Sequence, residues 1–187
     1  METKQINIYD FDELSEGVKE KVLNQFRENI SDCPYLEDNI TERLHETLNE
    51  KGIKVLRDCS LRYSLGYCQG DGLSFIGDFE FKGIDFNIGL NSWGNHYQHS
   101  RTTEINRINE ICEIYEDDGD ITEELKIIEE QKAEEIKQEF KDIYLKICDK
   151  LEKEGYSMIE YENSDEAISD NIKANEYKFR ENGDIEG

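Results

Sequence analysis

From Thr122 to about Glu154 the apolar residues Leu125, Ile128, Ala133, Ile136, Phe140, Ile143, Ile147 and Leu151 recur at threes and fours, with one step of five. No glycine or proline interrupts the run. That spacing predicts one continuous helix with a single apolar stripe. At the usual rise its roughly 33 residues would span about 50 Å. Gly155 is expected to end it. Tyr156–Tyr161 then reads as a short strand, Ser164–Ala174 as a helix capped by Ser164, and Glu176–Phe179 as a last strand before a polar tail, Glu181–Gly187.

Upstream, Lys4–Phe11 alternates Ile6 and Ile8 and reads as a short strand. Ser15 is an N-cap for a helix whose stripe, Val18, Val22, Leu23 and Phe26, runs to about Ile30. Asp32-Cys33-Pro34 breaks that helix, since proline cannot continue it. A second helix, Leu36–Glu50, places Leu36, Ile40, Leu44 and Leu48 four apart and closes at Lys51-Gly52. Three strands follow: Ile53–Tyr67, Leu73–Phe81 and Ile84–Leu90, joined at Gln69-Gly70-Asp71-Gly72 and Lys82-Gly83. Short glycine turns between alternating segments predict an antiparallel meander. Asn91–Arg101 reads as a loop. Thr102–Tyr115, with Ile105, Ile108, Ile111 and Ile114 three apart, fits a helix and a fourth strand equally poorly.

The predicted fold is α+β. Two N-terminal helices pack on an antiparallel sheet of about three to five strands, followed by a long acidic helix and a short C-terminal strand-helix-strand. Residues 1–112 are expected to form the sheet domain, and residues 113–187 the acidic helix with its C-terminal strands, packed with the first part as one unit.

Charge is the dominant compositional fact: 45 Asp and Glu against 22 Lys and Arg, a net of −23. Residues 1–112 hold 20 acids and 12 bases, whereas residues 113–187 hold 25 and 10. Such a field repels nucleic acid and anionic membranes and attracts basic surfaces. No apolar run reaches membrane-spanning length, and the N-terminus lacks the basic start and apolar block of a secretory signal. Five cysteines without a C-x-x-C pattern point to reduced thiols in a cytosolic protein.

The candidate partner-binding residues form an acidic stripe: Glu116, Asp117, Asp118, Asp120, Glu123, Glu124, Glu129, Glu130, Glu134 and Glu135. Doublets five or six residues apart on a helix lie roughly 8 Å apart along its axis. Duplex phosphates are at least as dense, so a rod of carboxylates can compete for a basic groove. The plainer reading is a solvated face that aids solubility.

Other motifs are weaker. Around Asp117-Asp118-Gly119-Asp120, setting Gly119 at position six of a calcium loop puts Ile114 and Leu125 at two ligand positions, so the run reads as a turn. Gly70, Asp71 and Gly72 read as a structural turn, because the lysine and third glycine of a phosphate cradle are missing. Cys68, Asp71, His96 and His99 form the alternative site, for a small enzyme or a metal-binding protein. The bland reading has Cys68 continuing the strand as a small buried residue, and both histidines as ordinary loop side chains. The favoured reading involves no catalytic residue, metal or cofactor.

Two segments resemble a family of small bacteriophage and prophage proteins: Phe11-Asp-Glu-Leu-Ser15-x-x-x-Lys19-x-Lys21 and Tyr63-Ser-Leu-x-Tyr67-Cys-Gln-Gly-Asp-Gly-x-Ser74-Phe75. The ending Tyr177-x-Phe179-x-x-Asn182-Gly183 is similar too, while Gly17 and Val22 depart from an alanine pattern. The resemblance implies a bacterial host cytoplasm and raises small inhibitors of host defence, anti-CRISPR proteins among them. The expected partner is a basic surface of a host nucleoprotein such as a CRISPR effector, with no direct binding of nucleic acid or membrane. An accessory phage protein of unrelated role is the third possibility.

Overall fold

The computed structural model describes residues 7–29, 33, 35–94, 96–108 and 123–186, with side chains from residue 128 onward in the last span. Residues 4–6 of the first expected strand, Asp32 and Pro34 of the helix break, and the Asp117–Asp120 turn lie outside the described residues.

The fold is α+β. Helices α1 (Glu16–Asn29) and α2 (Leu36–Glu50) precede a sheet of β1 (Ile53–Ser64), β2 (Gly72–Phe81), β3 (Ile84–Leu90) and β4 (Thr103–Arg107). Helices α3 (Glu123–Glu162) and α4 (Asp165–Ala174) follow. The strands lie in sequence order, each neighbouring pair antiparallel. The stretch that suited helix and strand equally poorly supplies β4, which pairs with β3 from Thr103 opposite Leu90 to Arg107 opposite Phe86.

The chain forms two compact units, Glu37–Tyr156 and Met1–Leu36 with Ser157–Gly187. In the first, strand alternation puts Phe75, Phe79, Phe81, Phe86 and Ile88 on one sheet face, all buried. Helix α3 covers that face. The Phe140 ring stacks on Phe86 at 4.7 Å and on Phe81 at 5.6 Å, and Tyr144 meets Phe75 edge-on at 4.8 Å. Ile40, Leu44 and Leu48 of α2 are buried in the same unit.

Helix α3 does not stop at Gly155. Tyr156–Tyr161, expected as a strand, continues the helix to Glu162. A Cβ on Gly155 would stand 2.5 Å from Leu65 Cδ1 and 3.1 Å from Ile40 Cδ1. Four residues beyond Leu151, this glycine keeps the stripe's place and makes room for its neighbours. Gly155→Leu is therefore expected to cost about 2 kcal/mol by overpacking, although leucine is the better helix former by nearly 1 kcal/mol. A denaturant titration reads the difference; a stabilised variant would mean that the glycine is no packing site.

In the second unit, Phe11, Leu14, Val22, Ile168, Ile172 and Phe179 form a buried cluster. Of the two N-terminal helices, only α2 belongs almost wholly to the sheet's unit. The apolar side of α1 is met by α4 and the C-terminal segment, as Val22 joins Ile168 and Ile172, and Phe26 packs on Tyr177 at 5.2 Å. Tyr9 and Phe179 exchange backbone hydrogen bonds of 2.8 and 3.0 Å. The expected terminal strands are thus two isolated bridges, Tyr9 with Phe179 and Phe179 with Ile185. Among the described residues four ion pairs, Lys178–Asp10, Lys173–Asp12, Arg27–Asp165 and Lys21–Asp184, also join the first segment of this unit to the last. Exposed pairs of this kind contribute little each; the apolar cluster holds the unit. Ser164 caps α4 as expected, its hydroxyl accepting from Ala167 N at 3.2 Å.

Candidate functional site

Two places collect the sequence-predicted residues. The first is the N-terminal half of α3. Glu116, Asp117, Asp118 and Asp120 lie outside the described residues; Glu123 and Glu124 open the helix. Glu130, Glu134 and Glu135 are exposed, while Glu129 is half-buried. The cause is helical phase. Glu129 stands four residues before buried Ala133, on the side that α3 turns inward. Glu134 has Lys137 at 4.0 Å, and Glu139 is held by Lys82 at 2.5 Å, so neighbouring carboxylates are partly neutralised.

The second place is the β1–β2 connection. Strand β1 ends at Ser64, so Cys68 does not continue the strand and is exposed. Tyr67 lies in the connection at φ +56°, and its ring packs on Tyr156 at 4.8 Å. The Asp71 carboxylate closes the loop. It accepts from Ser64 Oγ at 2.9 Å, Cys68 N at 3.0 Å, Cys68 Sγ at 3.1 Å and Tyr156 Oη at 2.7 Å. Gly70, at φ +119°, supplies backbone that other residues rarely adopt, and a Cβ there would touch the Tyr97 ring at 3.0 Å. Gly72 is already in β2, with His99 Cα 2.9 Å from where its Cβ would stand.

The loop after β3 is therefore seated on this connection. Arg62 clamps it from β1, donating through Nε to Gln98 Oε1 and through a terminal nitrogen to the Gly94 carbonyl, both at 2.8 Å. His99 Nδ1 accepts from Arg101 N at 3.0 Å and starts the short turn Ser100–Thr102. The Thr102 hydroxyl donates to the His99 carbonyl at 2.7 Å. His96 lies beside the Tyr97 ring at 6.5 Å. Cys68 and Asp71 are thus brought together and His99 comes near them through Gly72. Among the described residues, no hydrogen bond joins Cys68 to either histidine. Nor do three or more His, Cys, Asp or Glu side chains gather in a metal-holding group among the described residues.

Electrostatics follow from these contacts. Desolvation is the largest influence on Asp71 and raises its pKa, but the donors Tyr156, Cys68 and Ser64 together outweigh it and hold the carboxyl well below the usual range. The same bond to Asp71 pushes the Cys68 thiol up, and burial pushes Cys59 to about 11 and Cys148 to about 12. Burial and then Asp71 raise Tyr156 as well. The shift lowers the thiolate fraction of Cys68 and with it the nucleophilicity of the sulfur. Chemically the arrangement is a carboxylate that ties a loop to a helix.

Asp71→Asn is expected to destabilise by about 1–3 kcal/mol at pH 7, because a neutral amide presents a donor where donors already converge. A depressed carboxyl contributes stability above its unfolded pKa, near ~4, and that stability is lost as pH falls toward the folded value. The gap between wild type and variant should therefore narrow below about pH 4. Thermal unfolding of both proteins across pH reads this; a constant gap would remove Asp71 from the acid titration.

Tyr156, Ser64 and Arg62 were not singled out by sequence reasoning. Tyr156 was hidden by the assumed helix end at Gly155, and the continuing stripe was its signal. Arg62 carries no local signal, since its partners lie 32 and 36 residues away. In comparisons with known proteins, no family model, curated protein or solved structure matches the chain.

Proposed function

We propose that this chain is an acidic inhibitor, encoded by a phage and acting in the cytoplasm of the bacterial host. It binds a basic, nucleic-acid-binding surface of a defence complex such as a CRISPR effector and keeps nucleic acid off it. Catalysis plays no part. The observation that carries this reading is the exposed carboxylate face of α3. Glu130, Glu134 and Glu135 stand in solvent, on a helix seated against the sheet by Phe140 and Tyr144. Glu130 and Glu135 lie about 8 Å apart along the axis. A net charge of −23 adds long-range attraction toward basic partners.

Association between such surfaces is fast and salt-sensitive. Immobilised protein incubated with bacterial lysate is expected to retain nucleic-acid-binding proteins at about 0.05 M salt and release them at about 0.5 M. The retained partner should lose its DNA or RNA as this chain is added. A partner that keeps its nucleic acid while bound would defeat the proposal.

A further inference from the structure

We propose that the open edge of β4 is a docking site for an extended segment of a basic partner protein, which adds to the sheet as a fifth strand. Backbone register carries the argument. Asn91 N donates to the Thr102 carbonyl at 3.0 Å, and Ile108 N to the Asp85 carbonyl at 2.9 Å. Antiparallel bonding alternates, so Glu104 and Asn106 point their amides at β3, and Thr103 and Ile105 point theirs outward. Among the described residues, no backbone hydrogen bond meets those outward groups.

The two edges of the sheet are treated differently. Along β1 the register shifts twice, between Val55 and Arg57 and between Arg57 and Ser60, and Asp58 takes φ +45°. Bulges of that kind twist an edge away from further pairing. Strand β4 pairs without any shift and contains no proline.

Beside β4 lies a groove of about 310 Å³ whose walls include Thr103, Ile105, Glu134, Lys137, Lys141 and Tyr144. An added strand sends alternate side chains into this groove, against Ile105 and the alkyl stems of the lysines. Its other side chains emerge beside exposed Glu104, where a cross-strand Lys or Arg is favoured. Charge selects the occupant. A second copy brings another −23 to the edge, whereas a strand alternating apolar and basic residues meets Glu104 and the acidic field. The basic character rests on the reading of the partner given above, but the edge itself does not: reversing Glu130 and Glu135, which do not line the groove, leaves the amides of Thr103 and Ile105 in place.

The probe is a peptide of about ten residues alternating valine with lysine, added to the full chain and followed by hydrogen exchange. Protection is expected at Thr103 and Ile105, and not along β1. Ile105→Pro removes an outward donor without touching the β3 ladder or the net charge, and is expected to weaken the peptide at least about tenfold. Glu104→Lys keeps the backbone unaltered and should weaken it several-fold should the proline variant unfold. Binding that is unchanged in Ile105→Pro with its fold intact would overturn the strand. Absence of protection at Thr103 and Ile105 would do the same. Equal protection by a valine–glutamate peptide would overturn the basic occupant. Protection that rises with protein concentration alone would assign the edge to a second copy instead.

Discussion

Replacing Phe140 with alanine is expected to destabilise the unit Glu37–Tyr156 by about 3–5 kcal/mol. Phe140 is fully buried, and its ring meets Phe86 at 4.7 Å, Phe81 at 5.6 Å and Phe79 at 6.4 Å. Truncation removes the transfer free energy of the ring and leaves a cavity between helix and sheet. Neither side closes it easily, because the three facing rings are held by strands. The loss is a large share of a typical domain stability. Hydrogen exchange at the amides of β2 and β3 measures it, and should speed up far more than exchange in α4. Equal acceleration in both places would mean that the two units unfold as one. A loss below about 1 kcal/mol would mean that the ring stack is not what holds α3.

Reversing Glu130, Glu134 and Glu135 to lysine is expected to weaken the partner by roughly 100-fold or more at low salt. The three positions are exposed and face away from the core, so stability should change little. Glu134 gives up a contact with Lys137 at 4.0 Å, a pair contributing at most about 1 kcal/mol. Half-buried Glu129 is left alone so that a folding defect is not mistaken for lost binding. Reversing exposed Glu20, Glu42 and Glu50 makes the same change in net charge elsewhere and is the control. Equal losses in the two triple variants would reduce the effect to bulk charge. Affinity unaltered in the α3 variant would end the carboxylate reading.

Much of the fold is legible where local patterning decides it. Helix α2 begins and ends at the expected residues because Leu36, Ile40, Leu44 and Leu48 keep one face and Gly52, at φ +67°, closes it. Strand β3 matches at both ends for the same kind of reason, alternation between two turns. Gly155 was misread because a glycine on an apolar stripe is compatible with a helix end and with a close approach. Leu65 and Ile40, 90 and 115 residues earlier, tell the two apart. The alternative site was legible in part. Asp71 and Cys68 lie three residues apart and do meet, with Ser64 seven residues from Asp71, but Tyr156 comes from a helix 85 residues on.

What this sequence determined alone is the charge and the strongly patterned elements: an acidic chain, helix α2, a three-strand meander and a long helix, though not where that helix ends. These rest on periodicity and composition, which are local. The tertiary structure alone decided which glutamates of α3 face solvent and that Asp71 is a tied acceptor rather than a free base. It also decided that residues from both ends of the chain share one apolar cluster and that β4 leaves its outer amides open among the described residues. Each of these depends on contacts between residues far apart in the chain, which no local pattern encodes.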